Sequence, residues 1–321
     1  MNFFKKIKDN YHLKLTQELI NEKKYEELDQ LLLKVLKKDF SSFQIIFDKY
    51  KSDFLTLPKN KIYKNNIIWI NSFLKKDNLI LSNFIEFYFQ KIFFDNYQKK
   101  DYYDEILEFN SKLNIKNMNF DFLVKNSYFY QYNIINYTHN SSIKFLLNQI
   151  PFFETKDRLM FSHPNLTKGY FYIIRDPLEV LTLINKEYND IDTSIGELLN
   201  LDQHDKIISD KDRDFKISIP FKDWSTNVES WTGENILENF NGHIVNINKL
   251  QEDPFGEFTN IIGHLIQSGL KLELDYKLIS EYCEKFNMDN AYAEKTNVSN
   301  QKSKLIVRQL IKTAEKFGYS I

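Results

Sequence analysis

Gly169-Tyr170-Phe171-Tyr172-Ile173-Ile174-Arg175-Asp176-Pro177-Leu178-Glu179-Val180 is the stretch on which the reading of the fold turns. Its apolar run lacks the alternation of a half-exposed strand, so it predicts a strand covered on both faces, as in a parallel α/β sheet. A helix start follows directly. Pro177 suits a first helical position, Asp176 suits the N-cap, and Glu179 lies in the positive field of the helix N-terminus. An arginine at a strand end beside a helix start is a natural place for an anion.

The flanking sequence predicts further elements of the same kind. Residues from about Asn10 to Lys51 read as helices, with Leu15, Leu19 and Ile20 before a polar Asn21-Glu22-Lys23-Lys24 turn and Leu28, Leu31, Leu32, Val35 and Leu36 at helical spacing after it. No second copy follows at a fixed period, so residues 1–51 are expected to be a helical extension and 52–321 an α/β domain. Residues 80–147 read as mostly helical and strongly aromatic. Trp224, Val228 and Trp231 share a helical face, His243-Ile244-Val245-Asn246-Ile247 reads as another buried strand, and Phe258, Ile261, Ile262 and Leu265 line a helix. The polar segment from Gly196 to Asp214 reads as a loop with a short helix.

Composition narrows the function classes. The 321 residues carry a net charge of -1, which gives no whole-chain case for nucleic-acid binding. The single cysteine, Cys283, excludes an intramolecular disulfide and a cysteine-cluster metal site, and fits a reducing compartment. No apolar run reaches the roughly 20 residues of a membrane span, and charge begins too early for a signal peptide, so a cytoplasmic protein is expected. Only 8 glycines serve the whole chain, which leaves few residues suited to positive φ.

Hydrophobic strand, Arg175-Asp176-Pro177, Glu179 and Val180 together resemble the segment by which cytosolic-type sulfotransferases hold the 3′-phosphate of phosphoadenosine phosphosulfate (PAPS), their sulfuryl donor. The resemblance extends in order from about Phe54 to Tyr319, and implies a P-loop-like three-layer α/β fold with a central parallel sheet. It implies Arg175 on the 3′-phosphate. The family's serine eight positions later is Leu183 here, with Thr182 the nearest hydroxyl.

The family's phosphate loop, Pro-Lys-Ser-Gly-Thr-Thr-Trp, can be drawn two ways. Without a gap, Lys64 takes the lysine position, Asn65-Asn66 the Ser-Gly pair and Trp69 the tryptophan. With an insertion, Pro58-Lys59 is the Pro-Lys pair and a helix begins at Trp69. Leu159-Met160-Phe161-Ser162-His163 resembles the strand that ends in the family's general base, His163, and Lys295 stands where a C-terminal loop closes on the donor.

Transfer of a sulfuryl group from PAPS to a hydroxyl acceptor is the activity so implied, with His163 taking the proton, Lys64 or Lys59 neutralising the leaving group, and no metal. The alternative is a sulfotransferase-fold protein that has lost donor binding and acts as a binding or scaffold module.

Overall fold

A computed structural model describes residues 2–56, 67–93, 98–101, 105–106, 131, 144–149, 152, 166–202, 205–210, 215–220, 222–286 and 300–320. Five strands form one sheet in the order β2-β3-β1-β4-β7, every neighbouring pair parallel: β1 (Ile67–Ser72), β2 (Gln98–Asp101), β3 (Lys144–Asn148), β4 (Thr167–Ile174) and β7 (Gly242–Asn246). β1 is central. It pairs with β3 on one side (Ile70↔Leu147) and with β4 on the other (Ile70↔Phe171).

Side chains alternate across each strand, and both faces are apolar. Ile67 and Trp69 of β1 and Tyr170, Tyr172 and Ile174 of β4 enter one core; Ile68, Ile70, Phe171 and Ile173 enter the other. Parallel sheets require this double cover, and the helices provide it. The first core is closed by α5 (Pro177–Tyr188), α6 (Ile191–Leu199), α7 (Trp224–Thr232) and α12 (Asn300–Lys316). α4 (Lys75–Phe93), α10 (Pro254–Gln267) and α11 (Tyr276–Lys285) close the second, where Phe84 stacks on Phe258 at 4.1 Å. The result is a three-layer α/β fold.

At the N-terminus, α1 (Asn2–Asn21), α2 (Tyr25–Lys38) and α3 (Phe40–Thr56) pack on one another through Leu19, Leu28, Leu32, Phe43 and Phe47, and this apolar cluster is continuous with the first core. Between α6 and α7, β5 (Asp205–Asp210) and β6 (Phe215–Pro220) form an antiparallel hairpin. The expectation of a loop with one short helix misses that pair. α8 (Glu234–Asn239) precedes β7, and α9 (Ile247–Glu252) follows it.

Shortage of glycine is met by asparagine. Asn189, Asn200 and Asn241 adopt φ of 52°, 46° and 50°, the left-handed region that asparagine tolerates best among residues with a Cβ. Among the described residues, no helix is long and apolar enough to cross a membrane.

Candidate functional site

Ligands of parallel α/β sheets bind outside the carboxyl ends of the strands, where the chain reverses its direction of winding. Here that place is the end of β1 and β4. Ser72 pairs with Ile173, so the turn Phe73-Leu74 into α4 and the turn Arg175-Asp176 into α5 emerge side by side. The second turn is built as its sequence predicts: the Asp176 side chain accepts from Leu178 N at 2.8 Å and Pro177 opens the helix.

Arg175 is 2 % exposed and is gripped by two carboxylates. Its Nε and Nη2 both donate to Asp77 Oδ1, at 3.0 and 2.7 Å, and Nη1 donates to Glu179 Oε2 at 3.0 Å. Asp77 and Glu179 are themselves 2 % and 5 % exposed. A buried charge needs such partners, because desolvation otherwise costs several kcal/mol per ion. Burial pulls the Arg175 guanidinium down, but the paired carboxylates outweigh it and hold the group above its ordinary value. Burial pushes the Glu179 carboxyl up against the pull of Arg175, while Asn248 Nδ2 donates to Glu179 Oε1 at 3.5 Å.

Around this cluster the strand ends are tied by amides. Asn148 Nδ2 donates to Asn71 Oδ1 at 2.9 Å, Asn71 Nδ2 to the Phe171 carbonyl at 3.2 Å, and Asn78 Nδ2 to the Asn148 carbonyl at 2.9 Å. Tyr172 and Tyr319 complete the floor, their hydroxyls donating to Asn227 Oδ1 at 2.8 Å and to the Ile174 carbonyl at 3.3 Å. The strand ends are therefore cross-linked, which fixes where Asp77 and Arg175 stand.

The structure corrects the reading of the phosphate-loop region. Trp69 does not open a helix: it is the third residue of β1, fully buried, with Nε1 donating to Thr167 Oγ1 at 3.0 Å. Three consecutive large apolar residues, Ile67-Ile68-Trp69, favour a strand buried on both faces, and the helix waits until Lys75.

Of the candidate residues, Arg175 and Thr182 share the β4–α5 unit. Thr182 Oγ1 donates to the Leu178 carbonyl at 3.0 Å, within the helix. His163, Lys64, Lys59, Asn65, Asn66 and Lys295 lie outside the described residues. Asp77 is a functional residue that local sequence pattern does not single out. Its signal was an acidic residue in the first turn of a helix that follows a central strand, legible only once β1 is placed at 67–72. Among the described residues, no group of three His, Cys, Asp or Glu side chains is arranged to hold a metal ion.

The chain is similar to sulfotransferases of known structure. Mouse sulfotransferase SULT7A1 complexed with PAP aligns with TM-score 0.48 and 9 % identity over 78 % of this chain and 84 % of that one. Retinol dehydratase in complex with androsterone and inactive cofactor PAP aligns with TM-score 0.44 and 10 % identity, over 84 % and 83 %. The same enzyme in a complex with retinol and PAP aligns with TM-score 0.41 and 13 % identity, over 84 % of each chain. No protein-family model matches the chain, and neither does any curated protein. Two carboxylates of the chain itself, Asp77 and Glu179, hold Arg175.

Proposed function

We propose that this is a sulfotransferase-fold protein that no longer engages the sulfuryl donor and acts as a binding or scaffold module. The observation that carries the reading is the pairing of Arg175 with Asp77, side-on and almost wholly buried. The described residues do not fit a nucleotide bisphosphate. To take the Nε/Nη2 edge of Arg175, a phosphate must displace Asp77 and leave a buried carboxylate unpaired, at a cost of about 3–5 kcal/mol. That is about two to three and a half powers of ten in affinity, at about 1.4 kcal/mol each. Leu183 adds no hydroxyl where the family resemblance puts a phosphate-binding serine.

Calorimetric titration of adenosine 3′,5′-bisphosphate into the full chain tests this. The reading expects no binding at millimolar ligand. Micromolar binding that Arg175→Ala abolishes would overturn it and restore PAPS-dependent transfer to a hydroxyl acceptor. In that reading His163 is the base, Lys64 or Lys59 stabilises the leaving group, and Asn65, Asn66, Thr182 and Lys295 line the donor.

A further inference from the structure

We propose that Asp77 is a resident anion: its carboxylate fills, from within the chain, an oxyanion site that the Nε/Nη2 edge of Arg175 forms against the first turn of α4. The inference rests on the proposed loss of donor binding and names the residue responsible.

The sheet sets the geometry. β1 and β4 are adjacent and parallel, and only Phe73 and Leu74 separate β1 from α4, so the first turn of α4 is delivered to the β4 strand end that carries Arg175. That edge of a guanidinium presents two parallel N–H groups, the fork that matches one face of a carboxylate or phosphate. Asp77 Oδ1 takes both, at 3.0 and 2.7 Å. The Asp77 amide donates to the Leu74 carbonyl at 3.1 Å, so the side chain leaves a closed turn and points back across the strand ends to Arg175. An anion is favoured at a helix N-terminus whether it is covalent or free. Here it is covalent, so it cannot diffuse away.

Charge makes the plug selective as well as steric. With Glu179 on Nη1, Arg175 already has one neutralising partner. Asp77 adds a second negative charge beside Glu179, which disfavours a further anion; without Asp77 that charge is gone from the Nε/Nη2 edge. A serine at this position removes the carboxylate and supplies a hydroxyl donor in a smaller volume, and an asparagine keeps the size while removing the charge and turning one acceptor into a donor.

The test uses the full chain with Asp77→Ser and Asp77→Asn, titrated with inorganic phosphate and, separately, with adenosine 3′,5′-bisphosphate. Movement of the Arg175 Nε–H resonance in ¹⁵N spectra is followed beside the heat. We expect Asp77→Ser to bind phosphate at least about 100-fold more tightly than wild type. The Arg175 resonance should move on saturation, and Asp77→Ser/Arg175→Lys should lose the gain. Tighter binding of the bisphosphate than of phosphate assigns the site to a nucleotide; equal binding assigns it to phosphate itself.

If Asp77→Ser does not fold, Asp77→Asn carries the same comparison through the Arg175 resonance. Folded variants in which phosphate at tens of millimolar leaves that resonance unmoved overturn the inference while leaving the proposed function standing. Wild-type chain that binds the bisphosphate overturns the proposed function instead.

Discussion

Asp77 and Arg175, 98 residues apart in sequence, meet with one carboxylate oxygen accepting two guanidinium N–H groups at 3.0 and 2.7 Å. The contact joins the helix that follows β1 to the strand end of β4, and it stands where an α/β sheet would otherwise offer its ligand site.

Its first consequence is for stability. Arg175→Met leaves Asp77 and Glu179 buried without their counter-charge, and urea denaturation should show a loss of about 3–5 kcal/mol. Arg175→Lys should recover little of it, because an ammonium cannot present the two-donor edge. In a double-mutant cycle with Asp77→Asn, the two losses should be strongly non-additive.

A second consequence concerns acid. His243 of β7 and His264 of α10 stack at 5.1 Å beside Phe171, and the Nε2 atoms of both are buried without a hydrogen-bond partner among the described residues. Burial, with His243 adding to it, pushes His264 down to about 4, and burial also lowers His243. An unfolded chain takes up these protons near 6.5 and the folded one resists, so stability is full above pH 6.5 and falls as pH drops toward 4. For His264 the loss is roughly 3 kcal/mol. Glu179, raised in the fold, acts with the opposite sign as pH falls through its titration, so the wild-type curve alone is a sum. The difference between wild type and His264→Phe in denaturation at pH 7.5 and pH 5 isolates the histidine, and the variant should lose less.

Two glycines should respond oppositely to alanine. A Cβ on Gly242, at the start of β7, would sit 2.3 Å from Cζ of Tyr170, whose hydroxyl is anchored on the Trp231 carbonyl. Gly242→Ala should therefore destabilise by about 1–3 kcal/mol. Gly263, inside α10, has nothing within 4 Å of that position, and Gly263→Ala should stabilise by about 0.5–1 kcal/mol. Thermal unfolding of the two variants checks both signs.

Much of this architecture is legible in the residues. The β4 run, its Asp176 cap and Pro177 helix start, the break between α1 and α2 and the helix carrying Trp224 and Trp231 follow from local pattern, because each is set by burial periodicity or by a cap. Of the two ways of laying the family's phosphate loop on this region, the gapped one starts a helix at Trp69, and the apolar run Ile67-Ile68-Trp69-Ile70 contradicts it by forming β1. The hairpin of β5 and β6 is hard to read because its strands, DKIISD and FKISIP, are short and joined by a charged stretch, although FKISIP alternates apolar and polar residues as a strand should. Of the site, Arg175 was visible from its strand end. Its capture by Asp77 was not, since pairing between residues so far apart depends on the strand order rather than on local pattern.

The Arg175 Nε–H resonance, assigned by its loss in Arg175→Lys, reports on the Asp77 contact itself when it is followed while adenosine 3′,5′-bisphosphate is added to wild-type chain. A guanidinium held by Asp77 and Glu179 predicts a slowly exchanging signal that millimolar ligand leaves in place. A saturable shift at micromolar ligand would mean that Arg175 releases Asp77 for a phosphate, and would contradict the account.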